Sequence, residues 1–168
     1  MKRLIKRALA LPYSFRRVKN NFKEIEVETI SFCNRKCSYC PNVSIDRFNS
    51  EGSVLMDNNL LDEIFEQLNS INFKGIFSPH MYGEPLLDPR IVNIISRISE
   101  LGAIPKIVTN GDYLNVNILE ELLEAGLKVL FISKHSAELS SVALESIEYL
   151  KSKNDKNLFS DLDDGDND

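Results

Sequence analysis

From residue 24 onward the chain alternates between short runs with a period of two and stripes of apolar residues at helical spacing. Residues 24–32 (EIEVETISF) predict a first strand with Ile25, Val27 and Thr29 on one face. Asp57 is predicted to cap a helix whose stripe is Leu60, Leu61, Ile64, Phe65 and Leu68. Residues 73–79 predict a second strand. Asp88 followed by Pro89 predicts a helix start, a capping residue and then proline at the first helical position. Ile91, Ile94, Ile95 and Ile98 form its stripe, and Gly102 closes it. Residues 104–109 predict strand three, residues 117–125 a helix ended by Gly126, and residues 128–133 strand four. Ser136 is predicted to cap a last helix that runs to about Leu150. Four β–α units in series predict an α/β fold, a parallel sheet with helices packed over it.

The ends of the chain differ from this middle. Residues 1–23 carry eight Lys or Arg and no acid, and residues 161–168 carry five Asp and no base. The predicted division is a basic N-terminal arm (1–23), a folded part (24–152) and an acidic disordered tail (153–168). Residues 1–11 have helical spacing, with Met1, Leu4, Ile5 and Ala8 on one face, and Pro12 ends the pattern. That segment reads as a helix docked on the domain, or else as an arm for a membrane surface or a partner. The formal charge of −5 gives no reason to expect a nucleic-acid partner. No run of 18 apolar residues is present to make a transmembrane helix, and the apolar stretch before Pro12 is too short for a signal-peptide core.

The three cysteines all lie in Cys33-Asn-Arg-Lys-Cys37-Ser-Tyr-Cys40, just after the first strand. An odd, clustered set is not a disulfide framework, and it fits an intracellular, cytoplasmic protein with a metal or redox site. Sulfur ligands suit zinc, Cu(I) or iron–sulfur clusters. A structural zinc site takes four protein ligands, so His80 or His135 would have to join the cysteines. An ordinary [4Fe–4S] cluster also takes four cysteines. Three suffice where one iron stays open to a substrate or cofactor.

The C-x3-C-x2-C spacing, with the aromatic Tyr39 before the last cysteine, resembles the signature of radical S-adenosylmethionine (radical SAM) enzymes. Gly83-Glu84-Pro85 after strand two resembles the family's GEP-type motif, and Thr109-Asn110-Gly111 after strand three its TNG motif. The context Tyr82-Gly-Glu-Pro-Leu-Leu-Asp88 is similar to the subgroup that acts on peptides, proteins and small metabolites. The resemblance implies a partial parallel (β/α) barrel, here about four β–α units of a core that has six in the family. It implies a [4Fe–4S] cluster on Cys33, Cys37 and Cys40, with SAM on the open iron. Glu84, with Gly83 and Pro85, would meet the SAM amino group. Tyr39, Thr109, Asn110 and Ser133 would complete the SAM site.

The activity so implied is one-electron cleavage of SAM to a 5′-deoxyadenosyl radical that takes hydrogen from a substrate, with an external electron donor. The same residues have plainer readings: Gly83–Pro85 and Asn110–Gly111 as turns, His80 as a structural imidazole, and Lys134 and His135 as loop residues. Asn34, Arg35 and Lys36 would screen the cluster's charge or simply be solvated. With four units, Val129, Leu130, Phe131 and Ile132 would form an open apolar edge that invites self-association or a partner chain. The alternative function is a non-catalytic Fe–S or SAM-binding module, or a truncated remnant that needs a partner chain.

Overall fold

The computed structural model describes residues 22–44, 54–133 and 139–153. The predicted N-terminal helix, the acidic tail, Lys134, His135 and Ser136 lie outside the described residues.

Strands β1 (Glu24–Glu26), β2 (Ile76–Ser78), β3 (Ile104–Thr109) and β4 (Val129–Ile132) form one parallel sheet in the order β1-β2-β3-β4. They alternate with α1 (Asn58–Ser70), α2 (Ile91–Glu100), α3 (Val116–Glu124) and α4 (Ser141–Ser152). Register places Ile25 opposite Phe77, Phe77 opposite Pro105 and Ile107 opposite Leu130. That face meets the helices. Phe65 of α1 stacks on Phe77 with ring centroids 5.7 Å apart, and Ile94, Ile95, Ile98, Leu119 and Leu122 are fully buried. The predicted helical stripes therefore supply the core, except that Leu60 of α1 points to solvent, while Leu61, Phe65 and Leu68 are buried.

The opposite face carries Glu24, Glu26, Ser78 and Lys106, followed by Val108, Val129 and Phe131. Lys106 donates to Glu24 at 2.6 Å, and its ammonium lies 5.5 Å from the Phe131 ring centre. Phe131 is 36% exposed. Among the described residues, β4 has no further strand beside it, as the sequence suggests.

Several predicted ends move, each for a physical reason. β1 is three residues long rather than nine. Val27 still donates to the carbonyl of Ser78, but the carbonyl of Thr29 accepts from Met56 N and from Arg90, so the ladder is exchanged for loop contacts. β2 starts at Ile76 because Phe73 N donates back to Leu68, closing α1. α2 starts at Ile91, not beside Asp88. The buried Asp88 carboxylate accepts from the backbone N and guanidinium of Arg90 and so holds a turn ahead of the helix. Arg90 also donates to the carbonyl of Met56, tying the starts of α1 and α2 together. α3 starts at Val116, with Asn115 accepting from Ile118 N. α4 is capped by Ser140, whose hydroxyl accepts from Ala143 N, and not by Ser136.

Candidate cofactor site

The ends of β1, β2 and β3 converge on the cysteine loop. Phe32 leads into that loop, and its carbonyl accepts from Glu84 N at 2.8 Å. Gly83 N donates to Glu28 Oε1 at 3.2 Å. A Cβ on Gly83 would stand 1.9 Å from the carbonyl oxygen of Ile30, so only glycine lets the segment after β2 lie this close to the β1 segment. Pro85 then opens a 3-10 turn, Pro85–Leu87, with Glu84 as its cap.

Glu84 is 3% exposed. Its Oε1 accepts from Thr109 Oγ1 at 2.6 Å and from Leu86 N at 3.1 Å, and its Oε2 accepts from Asn110 N at 2.9 Å. Burial nevertheless pushes this carboxyl above the ordinary range, against the hydrogen bonds from Asn110, Thr109 and Leu86. A carboxylate offers about four acceptor positions, so one remains on Oε2 for a further donor. A cation there would relieve the cost of burying the charge.

The Thr109-Asn110-Gly111 loop is a turn as well as a set of contacts. Gly111 has a φ of +80°, and its N donates to Thr109 Oγ1. Asn110 reaches the cysteine loop, where Nδ2 donates to Asn34 Oδ1 at 2.8 Å and stands 4.0 Å from Cys33 Sγ. Ser133 N donates to the carbonyl of Thr109, which puts Ser133 at the end of β4 beside this loop.

Cys33, Cys37 and Cys40 are half-buried and not disulfide-bonded. Burial pushes the Cys33 thiol up; the Arg35 N–H opposes this, and Glu84, Cys37 and Cys40 add to it electrostatically. Tyr39 is 57% exposed at the rim, and burial of its hydroxyl beside Cys37 pushes its pKa up.

Among the described residues, no three His, Cys, Asp or Glu side chains gather tightly enough to hold a metal ion. His80 does not join the cysteines. Its Nδ1 is 2.8 Å from Ser78 Oγ and burial lowers its pKa, which matches the structural reading of that residue. The donor set suits a polynuclear centre: three soft sulfur ligands within reach of one another's charge, and no other cysteine in the sequence. Fully buried Asn42, two residues beyond Cys40, donates to the carbonyl of Tyr82 and has no partner for Oδ1 among the described residues.

Arg35 is mostly removed from solvent, with its side chain 20% exposed. Its guanidinium forms a bidentate pair with Asp112, and Asn34 donates to the same carboxylate. Arg35 holds the Asp112 carboxyl below its ordinary range.

The family model of the radical SAM superfamily matches residues 27–160. The chain belongs to the radical SAM superfamily. It is 40% identical over 117 residues to the S-adenosyl-L-methionine-dependent 2-deoxy-scyllo-inosamine dehydrogenase of Niallia circulans, covering 68% of this chain and 46% of that protein. It is 29% identical over 121 residues to the GTP 3′,8-cyclase of Trichormus variabilis, covering 71% of this chain and 36% of that one. Among solved structures, BtrN in complex with AdoMet and 2-DOIA superposes with a TM-score of 0.71 at 33% identity, over 82% of this chain and 55% of BtrN. The radical SAM chain thus spans roughly a third to a half of the relatives it matches. Its family's cofactors are a [4Fe–4S] cluster and SAM, in agreement with the sulfur donor set. No described helix is long and apolar enough to cross a membrane.

Proposed function

We propose that this chain is the cluster- and SAM-binding part of a radical SAM enzyme, with Cys33, Cys37 and Cys40 holding one [4Fe–4S] cluster. The observation that carries this is the position of Glu84, a buried carboxylate with an open acceptor site, stitched to the cysteine loop through Phe32 and to β3 through Thr109 and Asn110. When bound, the reduced cluster and SAM supply one-electron cleavage of a C–S bond and a 5′-deoxyadenosyl radical that removes hydrogen from a substrate carbon.

The chain's own residues bind and orient. Glu84 accepts a hydrogen bond from the SAM ammonium, a charge-assisted contact about twice as strong as a neutral one. Gly83 and Pro85 fix the turn that aims it. Asn110 sits between Glu84 and Cys33, and Thr109, Ser133 and Tyr39 line the remaining approach.

The substrate is a small polar metabolite in this reading. Support comes from the sheet face that no helix covers among the described residues, where Glu24, Glu26 and Lys106 lie near His80 and Glu28, and from the aminocyclitol substrate in the name of the Niallia relative. An external electron donor, cytoplasmic location, and self-association or a partner chain along β4 belong to the same proposal.

Anaerobic reconstitution followed by a 5′-deoxyadenosine assay with SAM and dithionite tests it. Cluster-dependent deoxyadenosine is expected, and Glu84→Gln should weaken SAM binding while the iron stays. A SAM-dependent change in the EPR spectrum without deoxyadenosine would leave a binding module. Full iron retention in the triple Cys→Ala variant would end the proposal.

A further inference from the structure

We propose that Asp112 is a positioning residue that clamps the cysteine loop to the end of β3 before a cofactor is bound. The proposal rests on the reading of Cys33, Cys37 and Cys40 as cluster ligands.

The geometry is a closed ring of side chains around the first turn of the loop. Arg35 Nη2 donates to Asp112 Oδ1 at 2.5 Å, and Arg35 Nε donates to Oδ2 at 2.8 Å. Asn34 Nδ2 donates to the same Oδ2 at 2.7 Å. Asn34 Oδ1 accepts from Asn110 Nδ2 at 2.8 Å, and Asn110 Oδ1 in turn accepts from Asp112 N at 3.0 Å. The two residues between Cys33 and Lys36 are thus both held by one carboxylate that follows β3. The fork of two parallel N–H donors on two carboxylate oxygens fixes direction as well as distance. Both partners are mostly removed from solvent, with side chains 20% and 25% exposed.

Between Cys33 and Cys40 the backbone contributes one turn, with Cys40 N donating to the carbonyl of Cys37. A loop of this length must lose conformational freedom to present three thiols together. The clamp fixes part of it in advance, which is preorganisation of a metal site by outer contacts. Asp112 also neutralises the one guanidinium inside the loop. Without that neutralisation, Arg35 would favour the more negative, reduced form of a neighbouring cluster.

Asp112→Asn keeps the shape and removes the charge and one acceptor oxygen. In the metal-free protein we expect amide hydrogen exchange across residues 33–40 to quicken about tenfold, while exchange at Ile94–Ile98 in α2 is unchanged. Iron and sulfide uptake during anaerobic reconstitution should slow several-fold, and the loaded cluster should have a more positive midpoint potential. The double variant Arg35→Gln with Asp112→Asn should return the potential toward wild type and keep the slow loading. Arg35→Lys should behave like Asp112→Asn in exchange, because an ammonium lacks the fork. Unchanged exchange and loading in Asp112→Asn would overturn the clamp, and so would equal acceleration in the loop and α2. If the wild type takes up no cluster, the cofactor reading fails instead, and the metal-free exchange comparison still decides the clamp.

Discussion

Thr109 Oγ1 donates a 2.6 Å hydrogen bond to Glu84 Oε1, joining the end of β3 to the turn after β2. Both residues are buried, at 2% and 3% exposure. Thr109→Val keeps the shape and removes both this donor and the acceptor for Gly111 N. Loss of a bond to a buried charged group costs about 1.5–3 kcal/mol. Thr109→Ser should hold its urea midpoint and its SAM affinity, and Thr109→Val should lose both. Equal behaviour of the two variants in urea melts and SAM titrations would refute the role of this bond.

Gly83→Ala should be more damaging than its size suggests. The added methyl group would meet the Ile30 carbonyl oxygen at 1.9 Å and Phe32 O at 3.2 Å, both backbone atoms with nowhere to rotate. Forced overpacking of this kind costs about 1–3 kcal/mol. The segment would also lift Glu84 from its partners, so SAM affinity should fall together with thermal stability. A variant with an unchanged melting temperature would show that the two segments can part freely.

His80 gives the metal-free protein a pH dependence with a definite sign. Burial lowers its pKa in the fold below the ordinary value of about 6.5, while the nearby Glu26, Glu24 and Glu28 oppose that shift and Lys106 assists it. The unfolded chain then binds more protons just below that ordinary value, so its contribution to stability is complete above it. The contribution falls as pH drops from about 6.5 through the folded pKa. His80→Gln should flatten urea stability across that window. Parallel pH curves for the two proteins would contradict this.

The edge at β4 should govern association. Phe131 is 36% exposed, and the strand's outer backbone groups are unpaired with any other strand among the described residues. Such an edge recruits another chain unless charge blocks it. Phe131→Glu should lower the self-association constant in sedimentation at least a few-fold without altering iron content. An unchanged constant would direct attention to another surface.

The sequence reveals β3 to the residue because residues 104–109 form an uninterrupted run that pairs with β2 on one side and β4 on the other. β1 and β2 are shorter than the pattern predicts because pattern alone does not reveal that Thr29 O serves Met56 and Arg90, or that Phe73 N closes α1. The start of α2 moves for a related reason, since Asp88 binds Arg90 rather than capping the helix. The cysteine spacing and the motifs after β2 and β3 were legible as a family resemblance. The clamp was not. Asn34 and Arg35 stand 78 and 77 residues from Asp112, and no periodicity links residues that far apart. The only hint was an acid directly after Gly111 and a base inside the cysteine loop.

The strand order β1-β2-β3-β4 follows the order of synthesis. Each strand that leaves the ribosome therefore finds its neighbour already made, without waiting for a distant segment. The cysteine loop, Glu84, Thr109, Asn110 and Asp112 all precede α3 in the chain. A nascent polypeptide that has released residue 112 and docked β3 therefore already holds the whole cysteine loop together with the carboxylate that ties it down.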